Sequence, residues 1–163
     1  MKGGRLAARR AVLDFSGTMI RPMDVEDVDA IMETVKDMPN PWSRPEFVDA
    51  FREKRQFLFA LCGAQAPRRL MAFSIWQYIE PQAELFMVAT RPEWRRNGCA
   101  ECLLRDNIDW LKSEKAKQFS LEVRISNAPA IAMYEKLGFK TIHLRREYYH
   151  RPVEDGFIME LKC

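Results

Sequence analysis

The fold of this protein is decided by residues 84–104, which read ELFMVATRPEWRRNGCAECLL. The apolar residues up to Thr90 predict a strand, and an arginine-rich loop follows at Arg91–Asn97. From Gly98 onward, the apolar residues recur at the spacing of one helix face: Leu103, Leu104, Ile108 and Leu111. A strand, a glycine-bearing loop and a helix bring free N–H groups and the positive helix end together, which favours an anion site. On its own this pattern is more often only a turn, because it is neither a Walker loop nor a GxGxxG motif.

Upstream of this stretch, the sequence predicts one strand and two helices. The strand covers Phe15–Arg21. Asp24 can cap the first helix, whose apolar residues recur at helical spacing: Val25, Val28, Met32 and Val35. After a proline-containing break, Ser43 opens an S-x-x-E capping box for a second helix, expected to run to about Lys54.

The next segment predicts an antiparallel hairpin. Its strands are Phe57–Cys62 and Leu70–Ile79, and the turn between them is Gly63–Arg69. Glu84–Thr90 is then the fourth strand, which leads into the glycine-bearing loop.

Downstream, the pattern of strand followed by helix is repeated. Apolar side chains alternate with polar ones around Leu121, which predicts a fifth strand. Ser126 or Asn127 can cap the following helix, which ends near Gly138. Two further strands are predicted from the patterns of the last quarter of the chain: Lys140–Tyr149 and Phe157–Lys162. The expected fold class is therefore mixed α/β, with helices packed on the faces of a sheet.

The composition indicates a single folded domain. The 163 residues include 47% hydrophobic and 30% charged residues. The longest apolar runs, Phe57–Cys62 and Leu85–Ala89, are far shorter than the roughly 20 residues that a membrane-spanning helix needs. Residues 1–13 lack the apolar segment of a secretion signal, so we expect a cytoplasmic protein with one domain over residues 14–163.

Charge separates the N-terminal arm from the body. Residues 1–13 contain four basic residues and no acidic one: Lys2, Arg5, Arg9 and Arg10. The rest of the chain carries 22 basic against 23 acidic residues, so we expect no strong nucleic-acid binding by the body. The arm is interpreted as a flexible tail, and the sequence leaves the oligomeric state open.

The four cysteines are interpreted as free thiols. They are Cys62, Cys99, Cys102 and Cys163. Cys99 and Cys102 form a C-x-x-C pair, which is also compatible with a redox pair or half of a zinc site. A second ligand pair is missing, so no metal is expected.

Three blocks of sequence carry a resemblance to a known family. Arg95-x-x-Gly98-x-Ala100 resembles the R/Q-x-x-G-x-G/A pyrophosphate loop of the GNAT family of N-acetyltransferases. Residues 121–127 and 134–139 resemble the rest of that family's acetyl-CoA region. Pro41-Trp42-Ser43 and residues 145–149 are similar to segments of the bacterial ribosomal-protein alanine N-acetyltransferases within it. The resemblance covers residues 19–161.

The resemblance implies the GNAT acyl-CoA N-acyltransferase fold, with a mostly antiparallel seven-stranded sheet splayed at strands 4 and 5 and about four helices. It also implies acetyl-CoA as cosubstrate. The pantetheine would lie along Met87, Val88 and Ala89, and an N–H near Val88 would stabilise the thioester oxygen. Asn127 would contact CoA, although it is equally suited to be a plain helix cap. The pyrophosphate would be held by the loop residues: Arg95, Arg96, Asn97, Gly98, Cys99 and Ala100.

The same resemblance implies the catalytic groups. Glu122 matches the family's general base and Tyr134 its general acid. Spacing alone is also compatible with a solvated strand carboxylate at Glu122 and a core residue at Tyr134. Glu84, on the fourth strand, is a second candidate for the base.

The resemblance implies that the acceptor is the N-terminal α-amine of a protein, and a ribosomal protein is one candidate. Trp42, Tyr148 and Tyr149 would bind this peptide, and Glu147 and His150 lie where it is expected. An α-amine has a pKa of about 7.7–8.0, whereas a lysine near 10.4 is roughly 4 kcal/mol harder to neutralise at pH 7. Two alternatives stay open: an acetyltransferase for a small-molecule amine or lysine, and a non-catalytic module that binds acetyl-CoA.

Overall fold

The computed structural model describes residues 16–163, which form a seven-stranded sheet with helices on both faces. The strands are β1 (Thr18–Pro22), β2 (Gln56–Gly63), β3 (Ala66–Ile79), β4 (Gln82–Thr90), β5 (Gln118–Arg124), β6 (Lys140–Tyr149) and β7 (Glu154–Lys162). The helices are α1 (Val28–Val35), α2 (Arg44–Arg52), α3 (Cys99–Ser113) and α4 (Ala128–Lys136), with 3₁₀ turns at Val25–Asp27 and Pro92–Trp94. The strand order is β1-β2-β3-β4-β5-β7-β6, and among the described strands only β4 and β5 pair in parallel. The predicted fold class is confirmed.

Each face of the sheet carries its own apolar core. On one face, Ile31 of α1 and Phe47 of α2 pack with Phe73 of β3. On the other face, α3 packs through Leu103 and its neighbours, and Tyr134 of α4 joins this second core. The helices of the two βα units, α3 and α4, therefore lie on the face opposite α1 and α2.

A buried polar contact fixes α3 on the sheet. Asn107 of α3 accepts hydrogen bonds from Ser74 Oγ at 2.6 Å and from Trp76 Nε1 at 3.1 Å. Buried polar groups of this kind are costly unless they are paired, so the contact defines one register of the helix against β3. That register fixes where the N-terminus of α3 lies beside the end of β4.

Strands β4 and β5 separate halfway along their length. Their parallel pairing ends at Leu85 and Leu121. On its other edge, β4 carries a bulge at Phe86, because Trp76 of β3 pairs with Leu85 while the preceding residue, Ile75, pairs with Met87. A bulge bends and twists its strand. The backbone groups of β4 that face β5 beyond Leu85 thus have no partner among the described strands, and the splay expected at strands 4 and 5 is confirmed.

The alternation of the strands also decides which side chains share a face. Ala83 and Leu85 pack against the core on the α3 side. Glu84 lies between them in sequence, so its side chain points to the face of α1 and α2. In the same way, Glu122 lies between the inward-facing Leu121 and Val123 and points to that face. The sheet therefore puts both carboxylates on one side.

Several boundaries differ from the sequence predictions. Strand β3 begins at Ala66 instead of Leu70, because its first four residues are all exposed and give no alternation of apolar and polar side chains. The first helix begins as a 3₁₀ turn in which Val25 is 56% exposed, so Val25 does not belong to the buried face. Helix α2 ends at Arg52, and β7 begins at Glu154 instead of Phe157.

Both predicted helix caps at the N-terminal side are present. Asp24 accepts a hydrogen bond from the Glu26 N–H at 3.0 Å, and Ser43 forms its capping box with Glu46. The predicted arm at residues 1–13 and the start of the first strand at Phe15 lie outside the described residues.

A second bulge lies near the end of β6. Pairing with β7 is interrupted after Arg145 and resumes at Tyr149. Within this bulge Glu147 has a φ of +49°, and its N–H donates to Asp155 Oδ1 at 2.7 Å. The last residues of β6 are thereby turned toward the splay of the sheet. Within residues 16–163, no helix is both long and apolar enough to span a membrane.

Candidate active site

A cavity of about 1050 Å³ lies where β4 and β5 separate. Its lining combines Leu85–Val88 of β4 with Leu121–Arg124 of β5, and it includes the segments Met38–Trp42 and Tyr148–Arg151. Five residues predicted from the sequence as catalytic or acceptor-binding line it: Trp42, Glu122, Tyr134, Tyr148 and Tyr149. The fold thus brings together groups that are up to 107 residues apart in the chain.

Glu122 lies in this cleft as a partly buried, ion-paired carboxylate. Its side chain is 28% exposed, and Oε1 accepts a hydrogen bond from Arg145 Nη1 at 3.1 Å. The Tyr148 hydroxyl also lies against this carboxylate, and the contact, together with burial, raises the pKa of Tyr148. Arg145 was part of the family resemblance, but nothing in the sequence predicted its pairing with Glu122.

Glu84 lies beside Glu122 on the neighbouring strand. The two carboxylates line a second cavity of about 420 Å³ that adjoins the first. Burial, followed by the negative charge of Glu122, raises the pKa of Glu84. The cleft therefore holds two carboxylates, of which one has an arginine partner.

Tyr134 belongs to the core and to the cleft at once. It is 6% exposed, and its ring packs edge-on against Phe139 with the centroids 6.0 Å apart. Burial, with a smaller effect of Tyr149, raises the pKa of Tyr134 well above its usual range. The hydroxyl is consequently protonated at neutral pH and can donate a hydrogen bond into the cavity that the residue lines.

The N-terminus of α3 has the geometry of an anion site. Gly98 is its N-cap with a φ of +76°, and Arg96 has a φ of +61°. The Cys102 N–H makes a helical bond to the Gly98 carbonyl at 3.0 Å, so the N–H groups earlier in this first turn precede the helical ladder. All six predicted loop residues lie here, although none is among the described residues that line the 1050 Å³ cavity: Arg95, Arg96, Asn97, Gly98, Cys99 and Ala100.

The side chains of this loop are partly engaged within the protein. The Asn97 amide donates to the carbonyls of Trp94 and Arg95, at 3.2 and 2.9 Å. Cys99 and Cys102 are buried free thiols, and burial raises the pKa of Cys99. A raised thiol pKa disfavours the reactive thiolate, so Cys99 lacks the activation that redox chemistry needs.

The remaining residues predicted to bind the cosubstrate border the splay. Met87 and Val88 line the cavity, whereas Ala89 is 8% exposed and packs toward α1 and α2. Asn127 caps α4 by accepting the Ala130 N–H at 3.4 Å, and it also lines the cavity. The cap and a contact with a bound molecule are thus compatible at this residue.

Aromatic rings form the opposite side of the cleft. The Trp42 ring lies 6.4 Å from that of Phe86, and the rings of Tyr148 and Tyr149 meet edge-on at 5.0 Å. Gly156 of β7 makes room for the two tyrosines. A Cβ at that position would lie 2.9 Å from Tyr149 Cε2 and 3.3 Å from Tyr148 Cδ1.

Asn40 and Arg124 connect the edges of the cleft through hydrogen bonds. The sequence did not indicate a functional role for either residue. Asn40, between α1 and α2, donates from Nδ2 to the carbonyls of His150 and Arg151, at 2.8 and 3.1 Å. Arg124 of β5 donates to the Pro152 carbonyl at 3.1 Å and lies over the Tyr149 ring at 4.4 Å. In the sequence, Asn40 is visible only as a polar residue between two prolines of the break. Its hydrogen-bond partner His150 lies 110 residues further along the chain.

No metal-ligating cluster stands out in the described part of the chain. Among residues 16–163, no group of three or more His, Cys, Asp or Glu side chains is arranged to hold a metal ion. The chemistry that the cleft offers is that of carboxylates, a buried phenol and free backbone groups.

Comparisons with known proteins agree with this geometry. A sequence profile described as the acetyltransferase (GNAT) family matches residues 28–139. The chain is 37% identical over 134 residues to a Salmonella typhimurium protein named [ribosomal protein bS18]-alanine N-acetyltransferase, covering 77% of this chain and 90% of that protein.

Solved structures show the same architecture. The crystal structure of the ribosomal-protein-S18-alanine N-acetyltransferase from Escherichia coli is similar with a TM-score of 0.81 and 34% identity, covering 89% of this chain and 93% of the other. A spermidine N-acetyltransferase mutant from Vibrio cholerae has a TM-score of 0.78 at 19% identity, covering 91% and 95% of the two chains. The second similarity concerns the fold alone.

Proposed function

Because the chain belongs to the GNAT acetyltransferase family and is an acetyl-CoA-dependent N-acetyltransferase, we propose that it acetylates the N-terminal α-amine of a ribosomal protein. The similarity to the Salmonella typhimurium enzyme, which covers 90% of that enzyme, is the observation that carries this proposal. That enzyme is named for an alanine of ribosomal protein bS18. The cytoplasm is the location consistent with such a substrate.

The free edge of β4 and the N-terminus of α3 suit the pantetheine and the pyrophosphate of acetyl-CoA, respectively. The edge of β4 beyond Leu85 carries backbone groups without a strand partner, which suits an extended chain of amides such as pantetheine. The first turn of α3 presents N–H groups and a positive helix end to a pyrophosphate. Asn127 lies at the start of α4, next to the same cavity.

Glu122 is proposed as the general base. The attacking amine must be neutral, and Glu122 would accept its proton through a water molecule. Arg145 holds the carboxylate in place through the contact at 3.1 Å and compensates part of its charge. An α-amine with a pKa of about 7.7–8.0 is already neutral in roughly a tenth or more of the molecules at pH 7, so a modest base suffices.

Tyr134 is proposed as the general acid. A backbone N–H near Val88 is proposed as the group that stabilises the thioester oxygen. When the bond to sulfur breaks, the Tyr134 hydroxyl would donate to the departing thiolate. A backbone N–H near Val88 would donate to the carbonyl oxygen while negative charge develops on it. Trp42, Tyr148 and Tyr149 would frame the acceptor peptide on the opposite side.

The proposal is tested with acceptors of different classes. Purified protein and acetyl-CoA are incubated with a peptide library that varies residues one to four, with N-terminally blocked lysine peptides and with spermidine, and mass spectrometry follows acetylation. Turnover confined to peptides with a free N-terminus beginning with Ala or Ser supports the proposal. Acetylation of spermidine or lysine without peptide turnover would overturn it and favour the small-molecule or lysine alternative.

A further inference from the structure

The cavity of about 420 Å³ lies beside the reaction site and shares six of its seven described lining residues with the larger cavity, Glu122 and Tyr148 among them. The seventh is Glu84, which is not among the described residues lining the larger cavity and has no role in the proposed acetyl transfer. The shared wall means that a molecule whose amine lies at Glu122 can continue directly into this second space.

Glu84 is a carboxylate without a counter-ion of its own. No hydrogen bond or ion pair joins its side chain to another described residue. Arg145 influences both carboxylates, but its hydrogen bond goes to Glu122. A partly buried carboxylate without a partner is unfavourable, because burial removes water from the charge. Glu84 is therefore ready to bind a cation.

The walls of the cavity suit a cation with an apolar stem. Trp42, Phe86 and Tyr148 supply aromatic surface around Glu84. Arginines of the chain already lie over the neighbouring rings: Arg145 is 5.1 Å from the Tyr148 centroid. Aromatic faces attract guanidinium and ammonium groups, and the methylene stem of a long basic side chain packs on them.

Negative charge continues beyond Trp42. Trp42 also borders a groove of about 390 Å³ along α2, which is lined by Glu46, Asp49 and Glu53. Arg52 pairs with Asp49 at 3.3 Å, so the groove keeps an excess of acidic groups. A chain that leaves the cavity past Trp42 would meet further carboxylates.

We propose that this cavity is a subsite for an arginine or lysine side chain that lies two or three residues into the acceptor, with Glu84 as the specificity-determining residue. The reacting α-amine must lose its proton, so it cannot remain the counter-ion of Glu84, and the second positive charge must come from a side chain. Because an extended chain advances about 3.3–3.6 Å per residue, only the first few residues can reach a cavity that shares Glu122 with the reaction site. This inference rests on the proposed function, because it takes a protein N-terminus as the acceptor.

The test uses peptides that differ in one charge. Peptides beginning with alanine carry arginine, its uncharged isostere citrulline, or glutamate at position 2 or position 3, and kcat/KM is measured for each. The wild type should prefer arginine to citrulline by about tenfold or more at one of these positions, the effect of one charge-assisted hydrogen bond. Glu84→Gln should reduce this ratio to about threefold or less, and Glu84→Lys should reverse the preference toward glutamate.

Asp109→Asn is the matched control. Asp109 is exposed on α3, on the opposite face of the sheet, so this variant removes one negative charge and should keep the arginine preference. Equal kcat/KM for arginine and citrulline peptides in the wild type would overturn the subsite while leaving the proposed function intact. A Glu84→Gln variant that loses activity equally with both peptides would also overturn it. Acetylation of spermidine with no peptide turned over would overturn the proposed function and the subsite together.

Discussion

At the scale of single residues, the charge of Arg145 is divided unequally between Glu84 and Glu122. Of the two carboxylates, only Glu122 accepts a hydrogen bond from Arg145, so the two are not equivalent. The paired Glu122 is fixed in one orientation, which suits a group that must hold a water molecule against the amine. The unpaired Glu84 is suited to binding a cation. This division of roles follows from one contact that the sequence pattern does not contain.

Glu122→Gln should slow acetyl transfer strongly. Glutamine keeps the shape of the side chain but cannot accept a proton, so kcat should fall by about a hundredfold or more, the range of general base catalysis. The affinity for acetyl-CoA should be retained, because Glu122 lies away from the N-terminus of α3. Steady-state kinetics and calorimetric titration with acetyl-CoA measure the two effects.

Glu84→Gln provides the comparison for this prediction. If Glu122→Gln retained its turnover while Glu84→Gln lost it with every acceptor, the base would be Glu84 and the assignment to Glu122 would be wrong.

Tyr134→Phe should reduce kcat by about tenfold to a hundredfold, a smaller effect than that of Glu122→Gln. A thiol with a pKa of about 8.5 is a stronger acid than this buried phenol, so the main contribution of Tyr134 is a hydrogen bond to the leaving sulfur. Phenylalanine keeps the packing against Phe139, and the thermal unfolding temperature should change little. Single-turnover release of CoA measures the effect, and an unchanged rate would exclude Tyr134 as the acid.

At the scale of elements, two bulges shape the site, one in β4 at Phe86 and one in β6 around Glu147. The strands themselves were predictable, since the alternation around Leu121 gave β5 and the limits of β6 were predicted at Lys140 and Tyr149. The bulges were not predictable, because an extra residue in a strand appears only in the register against its neighbour. The family resemblance implied the splay, whereas alternation alone did not.

Gly156→Ala should impair acceptor binding specifically. The added Cβ would lie 2.9 Å from Tyr149 Cε2, so the ring must move, and Tyr148 with it. We expect the KM for peptide acceptors to rise severalfold while the KM for acetyl-CoA stays the same. Gly63→Ala is the control, because the nearest atom to its Cβ would be 3.9 Å away. A peptide KM equal to that of the wild type would show that the paired tyrosines do not frame the acceptor.

At the scale of the whole molecule, a buried ion pair joins the start of α1 to the edge of the sheet. The Asp27 side chain is 1% exposed and accepts hydrogen bonds from Arg21 at 2.7 and 2.8 Å. Arg68 of β3 adds a contact at 3.1 Å, and the Asp24 N–H adds one at 3.0 Å. The sequence identified Asp24 as a cap, but the burial of Asp27 depends on β1 and β3, which lie far from each other in the chain.

Asp27→Asn should destabilise the protein by about 3 kcal/mol at neutral pH, since it leaves the largely buried Arg21 guanidinium without its charge partner. Burial alone would raise the pKa of Asp27, but the hydrogen bonds from Arg21 and from the Asp24 backbone hold it below its usual value. The stabilisation is therefore present above pH 4 and is lost as the pH falls through the lower pKa of the folded state. Chemical denaturation at pH 7 and at pH 3 should give a large difference between variant and wild type at pH 7 and a smaller one at pH 3. A difference that does not depend on pH would contradict the ion pair.

One measurement shows directly which amine of a peptide the protein acetylates. A peptide that begins with alanine and carries an internal lysine is incubated with the protein and acetyl-CoA, and the acetyl group is localised by fragmentation mass spectrometry. We expect the acetyl group on the α-amine alone, and we expect Glu122→Gln to lose this product. Acetylation of the lysine side chain with the α-amine left free would contradict this expectation.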